Sequence, residues 1–393
     1  MARFGSIVYF EPMFEITTPL SFQPSIQLVL ALKNMQAKIE RVAVELEQVS
    51  EPEDAWLHRW ALISTVGAST RIENAVLTDA EIEWVDTTLS QDGRPQAFEA
   101  KRTDILDKLS KDRERSIEEV VGCRELMNLV YMQGEDWFPF SETVLCGLHK
   151  ELLRHYPETQ RYAGRYKSSP NQVASINHDT GERRVVLDPT PPGPSTNAAM
   201  RELINWYNEA LKGKPWPLLV ATEFVFRFLA IHPFQDGNGR LGRALFVMTM
   251  LQGEDKALRR VIRCISIDRQ IERHRPQYYS TLQQTSGGAF QADATAYRLE
   301  LLAWFFLRMM EKALGDIDVL RARYAALQRL SESATQVLQS FRLSPEKRLT
   351  LSELIDGTGL ARRTVQNALK TLVDAGFLQR LGAGRGTRYQ LVF

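Results

Sequence analysis

His232-Pro233-Phe234-Gln235-Asp236-Gly237-Asn238-Gly239-Arg240-Leu241-Gly242-Arg243 sets how the rest of the chain is read. Upstream, Leu218 to Ile231 is apolar except at Thr222, Glu223 and Arg227. Downstream, Leu241 to Leu251 is nearly as apolar. Apolar runs of that length predict two helices buried in a core, with a polar loop between them. Pro233 stops the first helix just after His232. Gly237 and Gly239 permit left-handed backbone angles that gather successive N–H groups into an anion-holding concavity. The second helix then begins, and its N-terminus favours phosphate. Arg240 and Arg243, three apart, share a face there and can grip phosphate oxygens with paired hydrogen bonds. Gly237-x-Gly239-x-x-Gly242 also fits the dinucleotide-binding pattern, but that pattern needs a strand before the glycines, and here a helix precedes them. No lysine follows the glycines, so a Lys-Ser/Thr phosphate loop is excluded.

The same stretch resembles the signature of the Fic family, His-Pro-Phe-x-Asp/Glu-Gly-Asn-Gly-Arg-x-x-Arg. Every fixed position matches, and Gln235 stands at the variable one. The resemblance implies transfer of AMP from ATP to a protein hydroxyl, with magnesium. Neutral His232 would take the proton of the attacking Ser, Thr or Tyr hydroxyl. Asp236 would hold magnesium. Asn238 and the backbone of Gly237 to Gly239 would cradle phosphates, with Gly242 in the same nucleotide-binding set. Arg240 and Arg243 would neutralise the leaving pyrophosphate. Taken singly, His232 also reads as a helix-terminal histidine and Asp236 as a turn residue. Together they leave unexplained why base, acid, amide and two arginines converge in one loop.

Ser69-Thr70-Arg71-Ile72-Glu73-Asn74 matches a second family pattern, Ser/Thr-x-x-x-Glu-Gly/Asn. In the family this marks an inhibitory helix whose Glu reaches the second signature Arg. The resemblance therefore assigns Glu73, with Ser69 and Asn74, to autoinhibition. In isolation Glu73 reads as a solvated residue near a helix end. After Ala163-Gly164-Arg165-Tyr166-Lys167-Ser168-Ser169-Pro170-Asn171, two β-prone runs, 172–176 and 184–187, flank turn chemistry at 177–181. They predict a β-hairpin, followed by a proline-rich loop over 189–194. Family likeness makes this hairpin a flap over the site that holds the target through Gln172, Val173 and Ala174 by strand addition. A surface hairpin without that role is the plainer alternative. Tyr278 and Tyr279 fall where the family places aromatic residues near the nucleobase; ordinary packing tyrosines fit equally.

The chain has 393 residues, room for two or three domains, and the composition of a soluble globular protein. A formal net charge of +1 supplies no global field toward nucleic acid or membrane. Three sparse cysteines argue against a disulfide framework and suit a reducing cytoplasm. The N-terminus is interrupted by Glu11 and Pro12 and does not read as a signal peptide. The best apolar run, Leu299 to Met310, is too short to span a bilayer and contains Arg308. No His-Glu-x-x-His or Cys-x-x-Cys occurs, which argues against a protein-only zinc site.

In order, residues 1 to about 25 read as irregular. Leu28, Leu32, Met35, Ile39, Val42 and Leu46 then mark an amphipathic helix, and a helix from about Ala55 runs to the 69–74 motif. A capping box at Thr78-Asp79-Ala80-Glu81 opens another. A loop is expected over 90–97, helices over 98–115, 116–132 and 141–155, and a further helix over 197–212. At the C-terminus, a capping box at 350–353, a turn at 357–359, a helix over 361–375 and strands over 377–380 and 387–392 are the pattern of a winged helix. Arg362, Arg363, Gln366, Asn367 and Lys370 lie on its second helix, and from Pro345 onward Lys and Arg outnumber Asp and Glu eight to four. Duplex DNA and a docking protein both fit that surface.

The expected fold is mainly α: a Fic-type helical core with a β-hairpin flap, plus a C-terminal winged helix-turn-helix. The expected division is an N-terminal helical segment with the inhibitory helix (1–115), a catalytic core (116–315), a helical linker (316–344) and the winged helix (345–393). The expected activity is AMP transfer from ATP to a target protein or to the chain itself. Two other classes stay open: removal of AMP from a target, with Glu73 orienting water, and a DNA-binding regulator with a residual core. The sequence leaves monomer and homodimer open.

Overall fold

The computed structural model describes residues 19–90, 97–176, 183–213 and 216–392. The irregular start before residue 19, most of the 90–97 loop and the hairpin turn at 177–181 fall outside them.

The chain opens with α1 (Ile26–Leu46), whose buried stripe is Leu28, Leu32, Met35, Ile39, Ala43 and Leu46. Ser25 caps it by accepting the Leu28 N–H. Helix α2 (Glu51–Ile72) starts at Ser50, with Pro52, Glu53 and Asp54 in a first turn suited to the helix dipole. Helix α3 (Asp79–Leu89) carries the expected capping box between Thr78 and Glu81. Then come α4 (Phe98–Leu109), α5 (Glu114–Gln133) and α6 (Glu142–Leu152). The hairpin follows as β1 (Val173–Ile176) and β2 (Arg183–Leu187), antiparallel with an irregularity between Val173 and Ala174.

Helix α7 (Pro194–Lys212) begins on a proline three residues earlier than the pattern predicts. The two apolar runs are α8 (Pro217–Ile231) and α9 (Asn238–Gln252), packed against each other at the centre of the main core. A Cβ on Gly242 would press on Leu229 of α8, so the two helices approach over this glycine. Beyond them lie α10 (Lys256–Ile262), α11 (Ile267–Arg273), α12 (Arg275–Ser286) and the 30-residue α13 (Leu299–Gln328).

The C-terminal part is α14 (Glu332–Arg342), β3 (Leu349–Thr350), α15 (Leu351–Thr358), α16 (Arg362–Asp374), β4 (Leu378–Leu381) and β5 (Arg388–Leu391). The strands form one antiparallel sheet in the order β3-β5-β4. Its apolar core is separate from the main one: Val337, Leu338 and Phe341 of α14 meet Val365, Leu369 and Leu372 of α16. Helix α14, part of the linker in the sequence reading, thus contributes a face to the winged-helix core. The β3 strand, two residues long, is too short to carry a periodic signal. The architecture is the expected mainly helical core, two-stranded hairpin and C-terminal winged helix. Cys123, Cys146 and Cys264 are free thiols. Among the described residues, no helix is long and apolar enough to cross a membrane.

Candidate active site

Helix α8 ends where the sequence places its stop. His232 is the C-cap, at φ 50° and ψ 59°, and its N–H donates to the Phe228 carbonyl at 2.9 Å. A left-handed backbone is costly for a residue with a Cβ, so surrounding contacts must hold it. Burial pushes the His232 pKa down to about 4; Lys167 adds to that, while the Leu229 carbonyl, Glu73 and Asp236 oppose it. The ring is therefore neutral at pH 7. Its Nδ1 is buried without a hydrogen-bond partner.

Phe234 is fully buried and anchors the loop, a gain on the order of 2–3 kcal/mol from burial alone. It stacks on His149 of α6 with centroids 3.8 Å apart. The Gly164 N–H donates to His149 Nδ1 at 2.9 Å, which leaves Nε2–H to donate to the Asp236 carbonyl at 3.0 Å. That fixes a neutral tautomer, and burial pushes the His149 pKa down to about 4. Asn238 closes the loop from the other side: Oδ1 accepts the Phe234 N–H and Nδ2 donates to the Phe234 carbonyl. Its side chain shapes the loop, while its backbone opens α9.

Gly237 takes φ 80°, the left-handed turn expected of it, whereas Gly239, expected to do the same, lies in the first turn of α9 and does not. The Asp236 carboxylate is about a third exposed, accepts the Gly237 N–H, and lies 3.4 Å from Arg240. Arg240 itself is buried, yet its Nε and one terminal nitrogen have no hydrogen-bond partner. Glu119, at 3.8 Å, is its other acidic neighbour. A buried guanidinium with unused donors costs free energy unless something accepts from them. A phosphate group meets that need, and one partly exposed carboxylate beside it suits a magnesium ion held chiefly by phosphates and water.

Arg243 is also buried, and its Nε and one terminal nitrogen are engaged. Nε donates to Ser69 Oγ at 2.8 Å, and one terminal nitrogen donates to the Ser69 carbonyl at 2.8 Å and to Glu73 Oε1 at 2.9 Å. Asp268 of α11 stands 3.8 Å from Nε. Burial would lower the Arg243 pKa, but Glu73, Tyr278 and Asp268 outweigh it, and the pKa is raised. Glu73 is the C-cap of α2 and rests on the first turn of α9, where a Cβ on Gly239 would collide with its Oε1. Gly239 thus admits Glu73 as well as opening the helix.

The structure brings His232, Asp236, Gly237, Asn238, Gly239, Arg240, Arg243, Ser69 and Glu73 together. Asn74 turns away at φ 75° and accepts from Arg275. Gly242 lies in the α8–α9 packing contact. Tyr278 is buried against Phe305 and Phe306, as a packing tyrosine would be. Tyr279 is 40% exposed at the edge, with its hydroxyl 3.5 Å from the Ile72 carbonyl and Arg275 over its ring. Gln172 is exposed and donates to Asp188 at 3.4 Å, and Val173 and Ala174 lie in β1.

Sequence reading missed His149, Lys167, Asn171 and Asp268. Asp268 is buried beside Arg243, and burial pushes its pKa up to about 6. No local pattern marks these four. Asp54, His58 and Cys264 also gather in one place, but the Arg260 guanidinium bonds to all three and fills the space a metal would need.

Residues 139–250 match the Fic/DOC family model, and residues 332–382 match that of the IclR helix-turn-helix domain. Among curated proteins, the chain is 25% identical over 239 residues to a protein adenylyltransferase Fic of Culex quinquefasciatus, covering 58% of this chain and 42% of that protein. It is 24% identical over 300 residues to a protein of the same name from Aedes aegypti, covering 72% and 53%. The chain thus spans about half the length of these curated relatives. A crystal structure of a Fic family protein from Desulfovibrio desulfuricans G20 superposes with TM-score 0.53 at 21% identity, over 94% of this chain and 98% of that one. A Fic domain containing signaling protein from Bacteroides thetaiotaomicron VPI-5482 gives TM-score 0.51 at 22% identity, over 74% and 95%. The chain carries a Fic/DOC family domain followed by a helix-turn-helix module.

Proposed function

We propose that this chain transfers AMP from ATP to a Ser, Thr or Tyr hydroxyl of a target protein or of itself, and that Glu73 restrains the transfer. The observation that carries the reading is the meeting of Glu73 and the signature loop at Arg243, at 2.9 Å. The named relatives support the reaction class.

The hydroxyl oxygen attacks the α-phosphorus, the bond to pyrophosphate breaks, and the hydroxyl proton passes to neutral His232. A neutral imidazole has one nitrogen without a proton, and that nitrogen takes it. Arg240 offers its unused donors to the departing phosphates. Asp236 would hold Mg2+, whose charge offsets that of the phosphate oxygens. Arg243, held by Glu73, cannot at the same time hold the γ-phosphate. ATP then binds with its tail displaced, and a misplacement of about 1 Å can cost roughly a hundredfold in rate.

The test is transfer from labelled ATP by wild type, Glu73→Gly, Arg243→Ala and His232→Ala. Glu73→Gly should raise transfer strongly. Arg243→Ala breaks the same pair but loses the phosphate contact, so it should not activate. His232→Ala should lose about a hundredfold to ten-thousandfold. No rise in Glu73→Gly returns Glu73 to a structural role. Loss of AMP from a pre-modified target, faster in wild type than in Glu73→Gly, would instead favour the removal reaction.

A second reading concerns the C-terminal module, whose start we place at Glu332. We propose that it binds duplex DNA. Arg362, Arg363, Gln366, Asn367 and Lys370 are exposed on one face of α16, opposite buried Val365, Ala368, Leu369 and Leu372. Low-salt gel shifts should show binding that weakens in Arg362→Ala/Arg363→Ala. Binding that ignores both changes, or none at all, favours a protein partner.

A further inference from the structure

The backbone around His232 presents four consecutive carbonyls, from Ile231 to Phe234, at and just beyond the end of α8. A single distant segment catches all four. Lys167 Nζ donates to the Ile231 carbonyl at 3.1 Å, and the Lys167 backbone N–H to the Pro233 carbonyl at 2.8 Å. Asn171 Nδ2 donates to the His232 carbonyl at 3.3 Å and to the Phe234 carbonyl at 2.8 Å. Lys167 Nζ also donates to Asn171 Oδ1 at 2.8 Å, so the two side chains act as one brace. Lys167 is only 3% exposed, an unusual place for an ammonium. It sits at the C-terminal end of α8, where the helix dipole favours a cation.

The brace also bears on the hairpin. Asn171 lies just before β1. Beyond β2, Thr190 Oγ1 donates to the same Ile231 carbonyl at 3.0 Å. Both feet of the hairpin are therefore fastened to the backbone that presents His232.

We infer that Lys167 and Asn171 are positioning residues. They hold His232 in its left-handed conformation and register the hairpin, and any acceptor laid along it, against the imidazole. This deepens the reading of His232 as the proton acceptor and rests on it. Lys167 has an electrostatic part as well. The charged groups that face His232 are Lys167, Glu73 and Asp236. Lys167 is the cation among them, and it opposes protonation of the ring. Burial pushes the Lys167 pKa down to about 8, which still leaves it charged at pH 7.

The experiment uses the full chain carrying Glu73→Gly, with Lys167→Met, Lys167→Arg and Asn171→Leu added in turn. Transfer from ATP is measured beside NMR titration of the histidine Cε1–H signals, with His232 assigned by its loss in His232→Gln. Lys167→Met should lower kcat at least tenfold, leave KM for ATP within twofold, and raise the pH at which His232 takes its proton. Lys167→Arg should keep most of the rate and the lower titration. Asn171→Leu should lower kcat while His232 titrates as before. Circular dichroism confirms that each variant is folded at the assay temperature, and the two sites give independent tests if one variant is not. Wild-type rates in both Lys167→Met and Asn171→Leu would overturn the inference. So would a His232 titration unmoved by Lys167→Met. If His232 is not the base, His232→Ala keeps transferring while the NMR shift in Lys167→Met persists, so the two failures are distinguishable.

Discussion

At the scale of single residues, the site depends on neutral rings in dry places. His149 lies outside the signature, yet both of its ring nitrogens are engaged by loop backbone. His149→Phe keeps the stack on Phe234 but strands the Gly164 N–H and the Asp236 carbonyl. It should cost about 1–3 kcal/mol in urea unfolding. His149 and His232 both have pKa values near 4 in the folded protein against 6.5 unfolded. Between those values the unfolded chain binds more protons, so their stability contribution is complete above pH 6.5 and is lost as pH falls toward 4. His155, raised by Glu125 and Glu99 against its own burial, and Asp268, pushed up to about 6 by burial, work in the opposite sense. The difference between proteins is therefore the clean measurement: melting temperature should fall less steeply from pH 6.5 to 4.5 in His149→Phe than in wild type. Equal slopes would mean that His149 does not titrate in this way.

At the scale of elements, α2 is the lever. Its last turn is fastened by Arg71, which bonds Glu272 of α11 through two nitrogens at 2.6 and 2.9 Å, pairs with Asp79 at 2.8 Å, and donates to the Leu77 carbonyl. Arg269 of α11 reaches the same Asp79 at 2.7 Å. Arg71→Ala should leave α8 and α9 protected from amide hydrogen exchange while residues 69–75 exchange faster. Unchanged exchange there would mean that Arg243 alone fixes the helix end. Helices α5 and α6 meet over Gly122, where a Cβ would run into the Leu152 carbonyl. Gly122→Ala should push α6 outward and cost about 1–3 kcal/mol. Because α6 carries His149, it should also weaken transfer; an unchanged melting temperature would refute the close-approach argument.

At the scale of the molecule, two apolar cores share one long helix. The first part of α13 lies in the main core, and Ala326 and Leu327 near its end pack on the second. The end of α13 packs on α2, where Trp56 meets Tyr324 with ring centroids 5.7 Å apart and Arg321 pairs with Glu53 at 3.0 Å. The winged-helix module leans on the same stretch of α13. Arg323 lies over the Phe377 ring and donates to the Val392 carbonyl. With a shared helix and a packed seam, wild type should unfold in one calorimetric transition. Arg323→Ala with Leu327→Ala should release the C-terminal module to melt first. Two transitions already present in wild type would show that the cores are independent.

The sequence by itself determined what local chemistry controls. Apolar periodicity gave the helices, Thr78 and Thr350 gave capping boxes that the structure contains, and Pro233 with Gly237 gave the loop between α8 and α9. Twelve contiguous residues also gave most of the candidate site, because the turn between α8 and α9 holds its glycines and arginines at fixed local spacing. Tertiary structure alone decided which distant groups complete the loop. His149, Lys167, Asn171 and Asp268 lie on other segments, and their roles depend on burial and on which carbonyls α8 leaves open. It also separated Tyr278, sealed in the core, from its exposed neighbour Tyr279, and set α14 in the winged-helix core. A periodic pattern shows which face of a helix is apolar, but not which core that face will join. A polar residue's spacing says nothing of its partner when the contact spans dozens of residues and exists only after the chain has packed.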